Sequence, residues 1–475
     1  MNVLFATYKL LDEIIRGKAY SKIALDKAAA TPAVRRIVLG TLEKNFELDG
    51  LIDAQIKTSP GGAIRLILKQ GAYCLLYMDS MPAYAVIHES VELAKKLGKS
   101  GAGGFVNAVL KKLSSGDARA VAASDETVKY GKPQWIIDLV KSEYSAEDAA
   151  KILSAVSEER VHFRFNRFAE DIFTGDKNSE AALLVGDKTS AGDKNSTPEK
   201  IFMSDKKVEG ALLVGDKKAE AALLVERGIE VEPTAAGGYL ARQSAALKEL
   251  FAAGVVTFQS ASSMLVVRSA DIFEGARVLD VCAAPGGKAV YAAEFAGAGG
   301  AVTVCDIHKH RVRLIEAYVR RMHCLDKTDI REVDATAYTA EFDGAFDFVF
   351  ADVPCSGLGT MREKADIALN KRPEDIASLA KLQSEILANS ARYVKKGGVL
   401  TYSTCTVTDA ENGAVIRGFL CGQDDFFLEK IPVPVEGLPL PTGARGDLEA
   451  SGAAVQLLPE REYDGFYICR IRRKA

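Results

Sequence analysis

The stretch RVLDVCAAPGGK, residues 277–288, combines the end of an apolar run, a tight turn and the start of a helix. Its first five residues are apolar around Asp280, which predicts a short buried strand. The turn carries Gly286 and Gly287, and paired glycines let a backbone approach a ligand closely. Strand, glycine turn and helix are typical of nucleotide-binding α/β folds, but an ordinary strand-to-helix turn remains an equal alternative. The GxGxxG spacing of a dinucleotide site is absent.

Around this stretch, strands and helices alternate from Leu240 to Ala475, which predicts a doubly wound α/β domain. Helices are predicted at Ala261–Ala270, Lys288–Phe295, Lys309–Met322, Ala377–Val394 and Asp409–Leu420. Strands are predicted at Arg277–Val281, Ala301–Asp306, Ile330–Asp334, Phe346–Asp352 and Gly398–Ser403, with a late pair at Val455–Leu458 and Gly465–Arg470.

Residues 3–115 have the pattern of helices throughout, with glycines and prolines at the joins. Thr31 is a predicted N-cap, with Pro32 at the first helical position. The predicted helices are Val3–Gly17, Pro32–Asn45, Leu48–Lys57, Gly62–Tyr77, Tyr84–Leu97 and Gly104–Leu113. The sequence thus divides into an all-α domain (1–130), a small α+β domain (131–240) and the α/β domain (241–475).

The small domain contains an irregular repeat at about 172–218. The segment GDKNS occurs at 175–179 and 192–196, and ALLV occurs at 182–185, 211–214 and 222–225. The third ALLV copy continues into a helix–turn–strand pattern, so we interpret it as the native element and the earlier copies as duplications. The polar spacers predict loop or disorder, and we expect no catalytic role for the insertion.

Composition excludes several classes of protein. The chain has 475 residues, 48% apolar and 26% charged, which is typical of a soluble globular protein. The sequence contains no run of 18 apolar residues, so no membrane span is predicted. Eight cysteines without close pairing argue against a disulfide framework or a metal site and favour the cytoplasm. A monomer is expected.

The net charge of −3 hides an asymmetry, because residues 1–140 hold 19 Lys/Arg against 14 Asp/Glu. That mildly basic part is compatible with an RNA-facing surface or with an ordinary solvated face. A strand is predicted at Val161–Asn166, with Arg164 inside it and Arg167 just after it. These two arginines could contact RNA phosphates or belong to an ordinary solvated edge.

Acidic side chains lie where the strands of the α/β domain end, which is where such sheets bind ligands. Four of the five strand ends carry a carboxylate, and together these ends present Asp280, Asp306, Asp334, Asp352 and Cys405. Asp306 is placed to accept both ribose hydroxyls, and Asp334 an adenine amino group. The series favours an adenosine-bearing ligand without a pyrophosphate, a description that S-adenosyl-L-methionine (SAM) fits.

Two cysteines indicate the chemistry. Cys355 follows the strand that ends in Asp352, and Cys405 follows the next strand along the chain. Either alone is most simply a small buried hydrophobe. Together they suit methyl transfer to carbon-5 of a pyrimidine, which needs a thiolate on carbon-6, an acid near N3 and a base for the carbon-5 proton.

Several motifs resemble known families. Residues 71–113, GAYCLLYMDSMPAYAVIHESVELAKKLGKSGAGGFVNAVLKKL, resemble the NusB-like RNA-binding helical domain. DVCAAPGGK (280–288), ADVPCSGLGTMR (351–362), LQSEILANSARYVKKGGVLTYSTCT (382–406), Glu411-Asn412 and Asp464-Gly465-Phe466 resemble the RNA cytosine-5 methyltransferases. The whole chain except about 172–218 is similar to the bacterial RsmB (Sun/Fmu) type, which modifies 16S ribosomal RNA.

The resemblance implies an all-α NusB-like domain, a small α+β domain and a Rossmann-like, SAM-dependent methyltransferase domain. By matching position, Cys405 would be the nucleophile, Cys355 would assist proton removal and release, and Asp352 would contact N3 and the amino group. Lys288 would lie near the catalytic centre and is the nearest candidate cation to lower the pKa of the thiol. The residues that would hold SAM are Cys282, Ala283, Ala284, Pro285, Gly286, Gly287, Lys288, Asp306, Asp334 and Asp352.

Three departures from the family pattern put substrate affinity in doubt. Ser260 follows Gln259 where the family usually has Asp, Ala289 replaces Thr or Ser, and Leu369 replaces Trp. The expected substrate is 16S rRNA or a small-subunit precursor. A tRNA methyltransferase and a non-catalytic RNA-binding or antitermination-like factor remain alternatives.

Overall fold

A computed structural model describes residues 3–17, 19, 21–115, 125–157, 159–169, 217–433, 448, 451–460 and 462–475. The chain forms two compact units. The helical unit contains residues 1–157, 356–378 and 406–408. The sheet unit contains residues 158–355, 379–405 and 409–475. The three-domain division drawn from the sequence stays a prediction.

The helical unit is built on amphipathic helices around an apolar core. Thr31 caps the third helix by accepting from the Val34 backbone N–H, and Pro32 is its first residue. Gly40 allows that helix to pack on the fifth, since a Cβ there would come within 2.3 Å of the Tyr73 ring. Among the described residues before position 158, the helices are α1 Val3–Ile15, α2 Ser21–Lys27, α3 Pro32–Glu43, α4 Asn45–Asp53, α5 Gly62–Tyr77, α6 Ala83–Lys96, α7 Gly103–Ser114, α8 Glu126–Tyr130, α9 Gln134–Glu143 and α10 Ala146–Ser154.

The same unit includes two short segments from the second half of the sequence. The hydroxyls of Ser356 and Thr406 are 2.7 Å apart and buried. The Tyr144 hydroxyl donates to the Val407 carbonyl at 2.6 Å, and Leu369 packs against the apolar cluster of α1–α3. The helices therefore share a core with the segments that directly follow Cys355 and Cys405 in the chain.

The sheet unit contains a small antiparallel sheet in the order β2-β3-β1-β4. One face of it packs on Leu224, Leu247 and Leu250, which are fully or almost fully buried. Its strands are β1 Arg160–Phe165, β2 Val231–Pro233, β3 Tyr239–Arg242 and β4 Val256–Phe258. Helices α11 Lys217–Glu226 and α12 Ala245–Ala252 accompany them.

The larger sheet has eight strands in the order β10-β12-β9-β8-β5-β6-β7, with β11 paired to β12. Strands β5 to β9 are parallel to their neighbours in this group, while β10, β11 and β12 pair antiparallel. The strands are β5 Arg277–Asp280, β6 Ala301–Asp306, β7 Thr328–Glu332, β8 Phe346–Asp352, β9 Val394–Thr404, β10 Phe426–Leu428, β11 Ala454–Leu457 and β12 Phe466–Arg473. The order reverses between β5 and β8, and ligand crevices of α/β sheets form at such a switch point.

Helices cover the large sheet and confirm the predicted class, an all-α part followed by a Rossmann-like α/β part. They are α13 Ala261–Ala270, α14 Gly287–Ala296, α15 Lys309–Arg321, α17 Pro373–Tyr393 and α18 Gly413–Leu420, while the short α16 Asp366–Asn370 lies in the helical unit. No helix among the described residues is long and apolar enough to cross a membrane.

The repeated segments before residue 217 lie outside the described residues. The third ALLV copy, residues 222–225, lies within α11 and is followed by β2 at Val231. The predicted helix, turn and strand at this copy are therefore present.

Candidate active site

The carboxyl ends of β5, β8 and β9 bring the predicted polar residues to one edge of the large sheet. Asp280 pairs in register with Phe350, and Asp352 with Ser403. Three residues after the end of β8 comes Cys355, and Cys405 follows the last residue of β9. Parallel strands put these positions at the same edge because their carboxyl ends point the same way.

The thiols of Cys355 and Cys405 lie side by side, with their Sγ atoms 3.3 Å apart. Both residues are partly exposed, and neither forms a disulfide. The hydrogen bond with Cys405 and burial raise the pKa of Cys355 well above its usual value. Cys355 therefore keeps its proton, and its sulfur lies within hydrogen-bond distance of the Cys405 sulfur, where either thiol can be the donor.

Lys288 supplies the positive charge at this edge. Its Nζ donates to Asp352 Oδ2 at 2.7 Å and lies 5.5 Å from the centre of the Phe466 ring. Burial opposes the ammonium charge, but the charges of Asp352, Asp280 and Cys405 outweigh it and raise the pKa of Lys288. Lys288 thus stays protonated, and its charge interacts with the Cys405 thiol.

Asp352 is oriented by two donors. Lys288 binds one of its oxygens, and the Ser403 hydroxyl donates to Oδ1 at 2.7 Å. Each carboxylate oxygen can accept more than one hydrogen bond, so the group keeps acceptor capacity for a substrate.

Beside the Lys288–Asp352 pair lies a cavity of about 160 Å³. Asp280 is 1% exposed, and its Oδ1 accepts from the Cys282 N–H at 3.3 Å. Its Oδ2 has no partner. Burial, reinforced by the charge of Asp352, raises the pKa of Asp280 to about 7. The lining consists of Phe258, Gln259, Ser260, Ser263, Asp280, Cys282, Ala283, Ala284, Pro285, Gly287, Lys288, Tyr318 and Asp352.

The glycine turn forms one wall of this cavity. Gly286 has φ +115°, which disfavours any residue with a side chain, and its N–H donates to the Ala283 carbonyl at 2.7 Å. Burial, reinforced by Asp280, raises the pKa of Cys282 well above its usual value. Cys282 is part of the cavity wall, and its raised pKa keeps the thiol protonated.

Asp306 and Asp334 lie elsewhere along the carboxyl edge and are not part of that lining. Asp306 ends β6, is 2% exposed, accepts from the His308 N–H at 3.0 Å and pairs with Arg311 at 3.3 Å. Asp334 is exposed and comes two residues after the end of β7, in a turn where it accepts from the backbone and hydroxyl of Thr336. The structure thus separates the predicted cofactor residues that line the cavity from Asp306 and Asp334, which do not line it.

The three family departures have plain structural consequences. Ser260 caps α13 by accepting from the Ser263 N–H, a role that Asp would fill equally well. Ala289 is completely buried in α14, and Leu369 packs in the helical unit. Ser260 also lines the cavity beside Lys288 and Asp352, so this substitution puts a hydroxyl where the family usually has a carboxylate, whereas Ala289 and Leu369 are not part of that lining.

Sequence reasoning missed the residues that orient the predicted ones. Ser403 was seen only as the end of a strand, and Gln259 only as a departure from a motif. Arg164 was expected to meet phosphate or solvent, but it is 2% exposed and paired with Glu294. That expectation was wrong because Arg164 is buried and meets neither phosphate nor solvent. The sequence does not reveal its partner, because Glu294 lies 130 positions away. Across the described ranges, no group of three or more His, Cys, Asp or Glu side chains could hold a metal ion.

Two family models and several curated proteins match this chain. The sequence model of the 16S rRNA methyltransferase RsmB/F family matches residues 270–472, and that of the NusB family matches residues 3–115. The probable ribosomal RNA small subunit methyltransferase B of Bacillus subtilis (strain 168) is 32% identical over 455 residues, covering 92% of this chain and 90% of the relative.

Two solved structures share the fold. The crystal structure of PH0851 has a TM-score of 0.70 at 20% identity and covers 99% of both chains. A methyltransferase homolog protein from Pyrococcus horikoshii has a TM-score of 0.54 at 24% identity, over 74% of this chain and 98% of the other. From the relative that matches nearly the whole chain and from the two family matches, we conclude that the chain belongs to the RsmB/F family of SAM-dependent methyltransferases, with a NusB-family region at its N-terminus.

Proposed function

We propose that this protein methylates carbon-5 of a cytosine in small-subunit ribosomal RNA, through a covalent bond between Cys405 and carbon-6 of the base. The observation that carries the proposal is the pair of thiols 3.3 Å apart, beside the Lys288–Asp352 ion pair. Methyl transfer to a nitrogen or oxygen needs no thiol, whereas carbon-5 of a pyrimidine needs a nucleophile on carbon-6. The RNA assignment is supported by the names of the relatives and by the NusB-family region.

The residues of the sheet unit fit SAM. The unpaired Oδ2 of buried Asp280 is an acceptor for the ammonium group of its methionine part, and the glycine turn gives a ligand room beside the backbone. Asp306 and Asp334 are acceptors for the ribose and the adenine. When bound, SAM supplies an electrophilic methyl group.

The side chains then divide the work on the base. The Cys405 thiolate adds to carbon-6, and the electron pair of the carbon-5–carbon-6 double bond shifts through carbon-4 so that N3 takes up a proton from water. N3 gives this proton back after carbon-5 has been methylated. Asp352, held by Lys288 and Ser403, contacts N3 and the amino group and stabilises this adduct. Carbon-5 has then gained enough electron density to accept a methyl group.

Cys355 completes the reaction. Once Cys405 is a thioether it no longer carries a negative charge next to Cys355, so a main cause of the raised pKa of Cys355 is gone. Cys355 then assists removal of the carbon-5 proton. The electrons of that bond restore the ring double bond, and the Cys405 sulfur leaves carbon-6.

The test uses labelled SAM, 16S rRNA from a strain that lacks this enzyme, and tRNA as a second substrate. We expect 5-methylcytidine in digested rRNA with the wild type, none with Cys405→Ala, and a covalent protein–RNA band in a denaturing gel with Cys355→Ala. Cys421→Ala, which changes an exposed cysteine away from the thiol pair, is the matched control and should be active.

Three outcomes contradict the proposal in different ways. An adduct formed by the Cys405 variant reverses the two thiol roles. Methylation of tRNA alone replaces the substrate. No methylation of either RNA by the wild type supports the non-catalytic alternative.

A further inference from the structure

Gln259, on the cavity wall, is held by its backbone and by one end of its side-chain amide. It follows β4 directly, and its backbone N–H donates to the His162 carbonyl at 3.1 Å. Arg164 Nε donates to Gln259 Oε1 at 2.8 Å. Because the oxygen end of the amide faces Arg164, the nitrogen end faces away from it. Gln259 is 8% exposed, and its Nε2 has no hydrogen-bond partner among the residues that the structure describes.

Arg164 itself cannot easily move. It is 2% exposed and pairs with Glu294 at 2.5 Å, and it also donates to the Phe165 carbonyl at 3.1 Å. Its guanidinium lies 4.1 Å from the centre of the Tyr291 ring. A buried ion pair of this kind contributes little to stability against an apolar replacement. What it does here is fix which way the Gln259 amide points.

An amide donor without a partner in a buried position is costly, and native proteins have few of them. This one borders the cavity that Asp280 and Lys288 also line. A Cβ on Gly287 would lie 3.8 Å from the carboxamide carbon of Gln259, so the amide sits against the glycine turn. A ligand that rests on the turn therefore lies against the Gln259 amide.

The polar atoms around this cavity match one end of SAM better than the other. Asp280 Oδ2 is an unpaired acceptor and Gln259 Nε2 an unpaired donor. The methionine part of SAM carries an ammonium and a carboxylate, which need one of each. The acids assigned to the ribose and adenine, Asp306 and Asp334, do not belong to the lining.

We propose that Gln259 binds the carboxylate of the methionine part of SAM, and that Arg164 acts as its positioning residue. This role rests on SAM use by the family and not on the cytosine chemistry. The carboxylate is assigned to the neutral amide of Gln259 and not to Lys288, because Lys288 Nζ already donates to Asp352. Without Gln259, the carboxylate would lose a charge-assisted hydrogen bond.

The test measures binding without turnover. Isothermal titration of the full-length protein compares S-adenosylhomocysteine with its decarboxylated analogue, which keeps the ammonium but lacks the carboxylate. For Gln259→Leu we expect about tenfold weaker binding of S-adenosylhomocysteine and unchanged binding of the analogue. Gln259→Glu, which sets a negative charge against the carboxylate, should lose more for the first ligand and nothing for the second.

Gln70→Leu is the matched control. Gln70 is completely buried in α5, and both polar atoms of its amide lack partners, but it lies in the helical unit. Its replacement should leave both affinities unchanged. An equal loss for the two ligands in Gln259→Leu would mean that the residue only shapes the cavity, and no loss for either would overturn the proposal. Failure of the wild type to bind S-adenosylhomocysteine would instead refute SAM use.

Arg164 needs a paired design, because removing it alone leaves Glu294 buried without a partner, which is destabilising. The double variant Arg164→Met with Glu294→Leu removes both charges. We expect it to fold, to lose affinity for S-adenosylhomocysteine by less than Gln259→Leu, and to bind the decarboxylated analogue normally. Full affinity for both ligands in the folded double variant would show that Arg164 does not position the amide.

Discussion

Two buried lysine–aspartate pairs among the described residues, one in each unit, behave in opposite ways. In the sheet unit, Lys288 Nζ is 2.7 Å from Asp352. In the helical unit, Lys69 Nζ is 2.6 Å from Asp49. The lysine side chains are 14% and 7% exposed, so burial is similar. Yet the pKa of Lys288 is raised and that of Lys69 is lowered.

The surrounding charges explain the difference. Burial lowers the pKa of Lys69, and although Asp49 opposes this, Arg65 binds the same carboxylate at 2.6 Å and shares its charge. Around Lys288 there is an excess of acid, because Asp280 and the Cys405 thiol add to Asp352. A charge-balanced pair is typical of structure, whereas an excess of one charge in a cavity is typical of a functional site.

The largest effect should come from Lys288→Met. This change removes the cation that faces the Cys405 thiol and leaves Asp352 without one of its two donors. We expect methyl transfer in single turnover to fall by about 10³-fold, with the folded structure kept by circular dichroism. Lys69→Met, the same substitution in the other pair, should transfer methyl groups at the wild-type rate. Equal losses in the two variants would show that the distinction between the pairs is wrong.

Replacing Asp280 tests the acid excess through the pH dependence of stability. Its pKa is about 7 in the folded protein and near 4 in an unfolded chain. The unfolded state therefore loses this proton first, and the folded state loses stability as the pH rises from about 4 through 7.

Asp280→Asn removes that loss, so the variant should gain stability over the wild type at pH 8 but not at pH 4. The expected gain in the free energy of unfolding is on the order of 4 kcal/mol at most. Urea unfolding at the two pH values measures it. Asp326→Asn, at a side chain that is 74% exposed, should show no such difference. A gain that is equal at both pH values would mean that Asp280 is not the titrating group.

A smaller effect is expected for Lys69→Met on stability. Removing one partner of a buried pair is strongly destabilising when the other charge is left alone, but Asp49 keeps Arg65. We therefore expect a loss of about 1–2 kcal/mol in the free energy of unfolding of the helical unit. Lys95→Met, which breaks an exposed pair with Glu92, should cost less than about 0.5 kcal/mol. A loss in the free energy of unfolding as large as that caused by an unpaired buried charge would show that Arg65 does not compensate for the missing Lys69.

The sequence predicted which residues lie at the carboxyl edge of the large sheet better than it predicted either lysine–aspartate pair. Long elements with clear patterns were placed at their observed bounds, as for Gly62–Tyr77, Ala301–Asp306 and Phe346–Asp352. Short elements without a repeating pattern were missed, among them Ser21–Lys27 and Phe426–Leu428. Chain order along a parallel sheet brings strand ends together, and for this reason Cys355 and Cys405 could be expected to meet.

Contacts between distant segments could not be foreseen in the same way. Nothing near Arg164 in the sequence indicates that Glu294 will pair with it, and nothing near Gln259 indicates that its amide nitrogen will have no partner. Periodicity reports on the face of an element, while a polar partner depends on how two elements pack. Residues that orient the site are therefore harder to predict from sequence than residues that carry its chemistry.

The smallest effect is expected for deletion of residues 175–216, which removes the repeated segments and keeps α11 intact. The lysine pairs, the thiols and the cavity wall are formed by described residues on either side of this range. Methyl transfer, affinity for S-adenosylhomocysteine and the free energy of unfolding should all stay at the wild-type values. If a folded deletion variant binds S-adenosylhomocysteine normally but methylates RNA more slowly, the insertion contributes to the interaction with RNA, because binding of the cofactor product is unchanged.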